Sequence, residues 1–111
     1  MEFRVIPLDS FKSNFKTLGK KYKNIKNDLK KLTSKLEDNP KTGVYLQHNC
    51  YKLRVANSSV PTGKSGGFRT IYYFLDETSN IYLIAIYSKT QKENISENEL
   101  LELLKINGLD R

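Results

Sequence analysis

The segment from Gly63 to Phe74 joins a glycine-rich basic loop to an aromatic, β-branched run typical of a strand, with Arg69 at the junction. Upstream, Lys52 and Arg54 alternate with apolar residues, so both side chains are predicted to project from one sheet face. Downstream, a second predicted strand ends in Tyr87-Ser88-Lys89. Cations that converge on a sheet face beside a tyrosine indicate a surface that binds phosphate and could cleave a phosphodiester.

Metal-independent cleavage of RNA would suit such a surface. The ribose 2′-OH attacks the adjacent phosphorus while a base accepts its proton, cations hold the oxyanion, and an acid protonates the leaving oxygen. Arg69 is the candidate oxyanion clamp because its planar fork matches phosphate oxygens. Tyr87 either stacks on a base, donates a proton or packs in the core. On this interpretation, Arg69→Ala is expected to abolish activity and leave the fold intact.

The acid–base groups are harder to assign from the residue types. The single histidine, His48, stands in Gln47-His48-Asn49, which is typical of a turn. A lysine whose pKa is lowered by neighbouring cations is therefore the candidate base. In the glycine-rich loop, Lys64 either contacts phosphate or is simply solvated. Gly66 and Gly67 either permit a bulge or let backbone N–H groups approach phosphate.

The composition limits the class of protein. With 111 residues the chain is predicted to form one domain, residues 1–111. Its single cysteine, Cys50, excludes an internal disulfide, and one cysteine with one histidine argues against a metal enzyme, so no cofactor is expected. No twenty-residue apolar run and no signal peptide are present, which predicts a cytoplasmic protein without a membrane partner.

The net charge of +7 is concentrated near the N-terminus, where nine lysines lie between Phe11 and Lys35 with one acid, Asp28. Such an imbalance favours an anionic partner, which could be nucleic acid, an acidic protein or a membrane surface. We expect this group to bind nucleic acid, and the alternatives are a solvated face or a docking surface for an acidic protein. The lysines chosen as RNA-binding candidates are Lys20, Lys21, Lys30 and Lys31.

The order of predicted elements is strand, two helices, several strands and a final helix. The first helix is expected to be capped by Asp9 or Ser10. The last opens at Ser96, where Ser96-x-x-Glu99 forms a capping box. The remaining predicted elements are a strand over 3–7, a helix from about Asn24 to Glu37, and strands over Val44–Leu46, Cys50–Ala56, Phe68–Leu75 and Ile81–Tyr87.

The last two strands are predicted to form a hairpin. If Leu75 pairs with Ile81, then Tyr73 faces Leu83, Ile71 faces Ala85 and Arg69 faces Tyr87. Directly opposed residues have Cβ atoms roughly 5 Å apart on the same face. Arg69 and Tyr87 are therefore expected to be neighbours.

These residues resemble those of the RelE/HigB toxins of bacterial toxin–antitoxin modules. The resemblance rests on the Lys52-x-Arg54 strand, on Gly66-Gly67-x-Arg69 with the aromatic run after it, and on the strand end at Tyr87-x-Lys89. It implies an α+β fold in which two N-terminal helices pack on a curved antiparallel sheet of about four to five strands, with a C-terminal helix. It further implies a ribosome-dependent endoribonuclease that cleaves translated mRNA and is silenced by a cognate antitoxin.

By the same resemblance, the active surface falls on basic and tyrosine residues of three strands. Some members also place a tyrosine or histidine near the C-terminus, whereas residues 101–111 contain neither. The implied catalytic residues are Lys52, Arg54, Arg69, Tyr87 and Lys89, with Lys92 as a further phosphate contact.

Two other functions fit the same residue pattern. A non-catalytic toxin of the ParE type, which acts on DNA gyrase, has the same fold but does not need converging phosphate ligands. A plain RNA-binding module would bind naked RNA tightly without cutting it. Retention of Lys52, Arg54, Arg69 and Lys89 favours the nuclease.

Overall fold

The structure, a computed structural model, describes residues 2–61, 67–92 and 94–110. In chain order the elements are β1 (Arg4–Pro7), α1 (Asp9–Lys21), α2 (Ile25–Asp38), β2 (Val44–Gln47), β3 (Cys50–Val55), β4 (Phe68–Phe74), β5 (Asn80–Ser88) and α3 (Glu97–Ile106). This order confirms the predicted α+β class, with each predicted helix and strand present within a few residues of its expected bounds. No helix among the described residues is both long and apolar enough to cross a membrane.

The five strands form one sheet in the order β1-β5-β4-β3-β2. Strands β2 to β5 pair antiparallel, as hairpin neighbours do, whereas β1 pairs parallel to β5. A parallel neighbour requires a crossover connection. The chain between β1 and β5 includes α1 and α2, which cover the sheet. The sheet is therefore mixed, and the predicted antiparallel character holds for its four last strands.

The two N-terminal helices pack on one face of the sheet. Phe11 and Leu18 of α1 and Leu32 of α2 are buried there against Phe68 and Tyr72 of β4. Their spacing keeps one apolar stripe toward the sheet. The lysines of both helices are exposed, as expected for the opposite stripe.

The last helix packs on the other face. Leu100 and Leu104 of α3 join a second buried cluster with Ile71, Tyr73 and Tyr87. Because side chains alternate along a strand, this is also the face that carries Lys52, Arg54 and Arg69. The C-terminal helix and the candidate phosphate ligands therefore share one side of the sheet.

The predicted hairpin register was wrong at its start. The residue that pairs with Ile81 is Phe74 and not Leu75. The residue that faces Leu83 is Tyr72 and not Tyr73. A bulge then shifts the register, so that Ile71 faces Ala85. The predicted opposition of Arg69 and Tyr87 is consequently confirmed.

The helix caps were predicted with mixed success. Leu8 occupies the cap position of α1 without a side-chain cap, so neither Asp9 nor Ser10 caps this helix. Ser10 instead donates a hydrogen bond from Oγ to the Ile84 carbonyl at 2.5 Å, which ties α1 to β5. The capping box of α3 is confirmed, because Ser96 and Glu99 each bond the other's backbone N–H.

Candidate active site

Three of the candidate catalytic side chains lie in one row across three strands. Arg54 of β3 is paired with Arg69 of β4, which is paired in turn with Tyr87 of β5. Lys52 lies two residues before Arg54 on the same face, opposite Ile71. Neighbouring strands are separated by about 5 Å, so the row spans roughly 10 Å. We call Lys52, Arg54, Arg69 and Tyr87 the cationic row.

Within this row, Arg69 is buried. Its side chain is only 2% exposed, and Nη1 donates a hydrogen bond to the Gly67 carbonyl at 2.9 Å. Tyr87 is 6% exposed and belongs to the cluster under α3. A phosphate can reach Arg69 only after the residues that cover the guanidinium move aside. The alternation of residues along the strands predicted which sheet face Arg69 and Tyr87 occupy, but it did not indicate that both residues are buried.

Gly67 has a packing reason to be glycine. A Cβ atom at this position would lie 2.1 Å from the Val55 carbonyl oxygen, much closer than any real contact. The two backbones therefore approach directly beside Arg69. Of the other predicted loop contacts, Lys64 and Gly66 lie outside the described residues.

The accessible cations lie around the buried pair. Arg54 and Lys89 are exposed, and Lys52 is half-buried with its Nζ donating to Asn94 Oδ1 at 3.1 Å. Asn94 belongs to the connection between β5 and α3, which thus reaches across to β3. This contact could not be predicted, because 42 residues separate the two partners.

Lys92 is held at the edge of the row. Its Nζ lies 5.6 Å from the centre of the Tyr87 ring and forms an ion pair with Glu99. The hydrogen bond from Lys92, together with the capping contacts of Ser96, lowers the pKa of Glu99 to about 2. The capping box revealed Glu99, but its pairing with Lys92 depends on the turn after β5 and could not be predicted.

The lysine-rich helices lie on the opposite side of the sheet from the cationic row. Lys20, Lys21, Lys30 and Lys31 are exposed on α1 and α2, which pack on the face away from Arg54 and Arg69. The structure therefore does not bring these lysines to the candidate site. Any RNA that they contact must be a different segment from one bound at the row.

The remaining reactive side chains are not members of the row. His48 and Asn49 form the β2–β3 turn with φ of 55° and 63°, so the predicted turn is confirmed. The Nε2 atom of His48 lies 3.3 Å from the Oε2 atom of Glu97. Burial raises the pKa of Cys50 to about 12, so its thiol stays protonated and unreactive. Nowhere in the described ranges do three His, Cys, Asp or Glu side chains come together as metal ligands.

Comparison with known proteins identifies the family and the fold of the chain. Residues 10–109 match the family model described as the RelE toxin of the RelE/RelB toxin–antitoxin system, a match that covers most of the chain and establishes family membership. The fold resembles that of a double arginine mutant of the E. coli toxin RelE in the free state, at 17% identity and a TM-score of 0.62, over 96% of this chain and 98% of that one.

Two further E. coli structures are similar. The isolated RelE toxin matches at 19% identity and a TM-score of 0.57, over 96% of this chain and 99% of that one. A chain of the intact RelBE toxin–antitoxin complex matches at 19% identity and a TM-score of 0.56, over 78% of this chain and 94% of that one. At these identities the likeness shows a shared fold.

Proposed function

Because the chain belongs to the RelE toxin family, we propose that it is a ribosome-dependent endoribonuclease that cleaves translated mRNA. The observation that carries this proposal is the cationic row. Arg54, Arg69 and Tyr87 are aligned directly across three strands, with Lys52 beside them on the same face. A toxin that acts only through protein contacts has no need for such an alignment.

In the proposed reaction, the accessible and the buried cations have different tasks. Arg54 and Lys52 bind the scissile phosphate, and Arg69 stabilises the oxyanion once the phosphate has displaced its cover. Lys89 and Lys92 lie at the end of β5 and extend the positive surface along the RNA. The 2′-OH attacks the phosphorus and the 5′-oxygen leaves, without a metal ion or cofactor.

Dependence on the ribosome follows from what the row lacks. The one histidine of the chain lies in the β2–β3 turn, on a different element from any residue of the row. The site thus has cations and a tyrosine but no histidine pair for the two proton transfers. We infer that ordering of the mRNA by the ribosome supplies the missing part of the catalytic power. The protein would accordingly act in the cytoplasm.

The proposed inhibitor is a cognate antitoxin protein. In E. coli, the related RelE toxin forms the RelBE complex with its antitoxin. We extend this partnership to the present chain on the strength of the family match.

Cleavage of mRNA on translating ribosomes, mapped by sequencing new 5′ ends, tests the proposal. The wild type should cut translated mRNA and leave the same naked RNA largely intact. Arg54→Gln removes a cation from the reacting phosphate and should lower the rate by about 10²–10³, the typical cost of losing one group that stabilises charge in the transition state. Arg4→Gln, which removes an exposed arginine from β1 at the far edge of the sheet, should cut normally. Undiminished cleavage by a folded Arg54→Gln protein would contradict the proposal.

Arg69 requires a different control because of its burial. We no longer expect Arg69→Ala to leave the fold intact, since it removes a side chain that is 2% exposed and bonded to the Gly67 carbonyl. Arg69→Lys keeps the charge and loses the planar fork. Cleavage by each variant should therefore be measured per folded molecule, with thermal unfolding recorded alongside.

A further inference from the structure

A cleft opens beside the cationic row where the pairing of β1 with β5 ends. β1 pairs with β5 only as far as Leu83, and no other strand among the described residues continues along that edge from Ile84 onward. Side chains of α1 replace the missing strand: Ser10 bonds the Ile84 carbonyl, and Asn14 Oδ1 accepts from the Ile86 N–H at 3.2 Å. Between α1 and α3 this leaves a cleft of about 590 Å³.

Apolar side chains and a few polar groups line this cleft. Ala85 and Ile86 of β5 and Leu103 of α3 contribute apolar surface, and Tyr87 links the cleft to the row. A few convergent polar groups on an apolar surface are typical of a site for a small ligand. The polar lining includes Asn14, Gln91, Asn98 and Glu102, together with the ion pair of Lys92 and Glu99.

The hydrogen-bonding capacity of these groups is mostly unused. Gln91 accepts from the Ser88 N–H at 2.8 Å through Oε1, and its NH₂ makes no hydrogen bond to any described residue. In the part of the chain that the structure describes, Asn98 and Glu102 make no side-chain hydrogen bond or ion pair. The charges of Lys92 and Glu99 neutralise each other. The lining of the cleft therefore carries one uncompensated negative charge, that of Glu102.

We propose that this cleft binds a nucleobase that carries an exocyclic amine. A carboxylate accepts hydrogen bonds and repels phosphate, so Glu102 selects a ligand that presents N–H donors. Carboxamides such as Asn98 pair with the mixed donor and acceptor edge of adenine or cytosine, and single-stranded RNA is commonly read on such edges. Uracil presents one N–H donor between two carbonyl oxygens, which the Glu102 carboxylate repels, and it is therefore discriminated against. The biological use of this site rests on the proposed nuclease function.

The position of the cleft suits one nucleotide of a bound RNA. Tyr87 is shared by the cleft and the row, and Arg69 and Arg54 lie one and two strands away, roughly 5 and 10 Å. A base in the cleft would therefore lie close to a phosphate held in the row. The cleft would determine which nucleotide is found beside the cut.

Binding of nucleosides to the purified protein, followed by backbone amide shifts in NMR spectra, tests the cleft without any need for cleavage. Cytidine and uridine form a matched pair that differs only at C4, an amine against a carbonyl oxygen, and at N3, an acceptor against an N–H donor. Neither carries a phosphate for the cations to bind. Cytidine should shift the amides of Ala85, Asn98 and Glu102, and uridine should bind at least threefold more weakly. Glu102→Ala should weaken the binding of cytidine by a similar factor, because it removes a charged hydrogen-bond acceptor.

Glu97→Ala is the control, because Glu97 is an exposed carboxylate of the same helix whose partner is His48, and it is not part of the cleft lining. This variant should bind cytidine as the wild type does. Equal binding of cytidine and uridine, or an unchanged cytidine affinity in Glu102→Ala, would overturn the proposal. If the protein binds cytidine more tightly than uridine but cuts no translated mRNA, the nuclease assignment is wrong and the proposed base-binding cleft is supported. If the protein cuts mRNA but binds both nucleosides equally, only the proposal for the cleft is wrong.

Discussion

Gly67→Ala should destabilise the protein strongly, because the position has no room for a methyl group. The added Cβ would lie 2.1 Å from the Val55 carbonyl oxygen and 3.0 Å from its carbon. Real Cβ atoms essentially never approach closer than 3.0 Å, so β3 and β4 would have to separate by about an ångström at this point. Neighbouring ladder hydrogen bonds would then stretch or break, and the carbonyl that holds Arg69 would move with them.

The size of the effect follows from two terms. Overpacking typically costs about 1–3 kcal/mol, and each lost hydrogen bond adds about 1 kcal/mol, so the free energy of unfolding should fall by roughly 2–4 kcal/mol. For a domain of this length, such a loss lowers Tm by about 8 °C or more. Thermal and urea unfolding followed by circular dichroism would measure both quantities.

Gly19→Ala provides the matched control for the same substitution. A Cβ atom at Gly19 would meet Ile25 Cγ2 at 3.8 Å, which is an ordinary contact, and the residue lies within α1. Alanine should therefore stabilise this helix by up to about 1 kcal/mol. If Gly67→Ala melts within about 2 °C of the wild type and only cleavage is lost, the glycine serves approach to phosphate and our packing argument is refuted.

Two further predictions concern charged groups on opposite sides of the sheet. The lowered pKa of Glu99 means that its ion pair stabilises the fold above the ordinary value near 4.5, and that this stabilisation is lost as pH falls toward 2. Urea unfolding should therefore show Glu99→Gln to be less stable than the wild type by a few tenths of a kcal/mol at neutral pH, and equal to it near pH 2; a difference that does not vary with pH would contradict this. On the other side of the sheet, a quadruple lysine-to-glutamine variant should bind ribosomes more weakly. The slope of log affinity against log salt concentration should flatten by somewhat less than one unit for each phosphate contact that is lost. The stability of the domain should change little. Unchanged affinity and slope would make this surface a solvated face or an antitoxin docking site. The substituted positions are Lys20, Lys21, Lys30 and Lys31.

The parts of the fold that could be predicted are those with local signals. The spacing of Leu29, Leu32 and Leu36 indicated one buried helix face, and Ser96 with Glu99 marked the start of α3 within one residue. Alternation along β3 correctly placed Lys52 and Arg54 on one face. Each of these signals acts within a turn or two of the chain, where sequence spacing determines geometry.

The parts that could not be predicted depend on contacts between distant segments. Nothing near Arg4–Pro7 indicates that it pairs parallel to β5, because that partner lies more than seventy residues away. Nothing in the alternation along β4 indicates that Arg69 is buried, and the contact of Lys52 with Asn94 joins residues that are 42 positions apart. A row of cations was thus predictable, whereas its division into accessible and buried members was not.

The bulge in β5 explains why Tyr87 belongs to the candidate site. From the observed pairing of Phe74 with Ile81, a regular ladder would place Ile86 opposite Arg69 and Tyr87 opposite Phe68, on the face covered by α1 and α2. A slip of one residue reverses which face a side chain occupies. The extra residue between the Tyr72 and Ile71 pairs restores the register, so that Tyr87 lies beside Arg69. Bulges commonly re-aim side chains next to active sites, and this one adds the tyrosine to the two arginines of the cationic row.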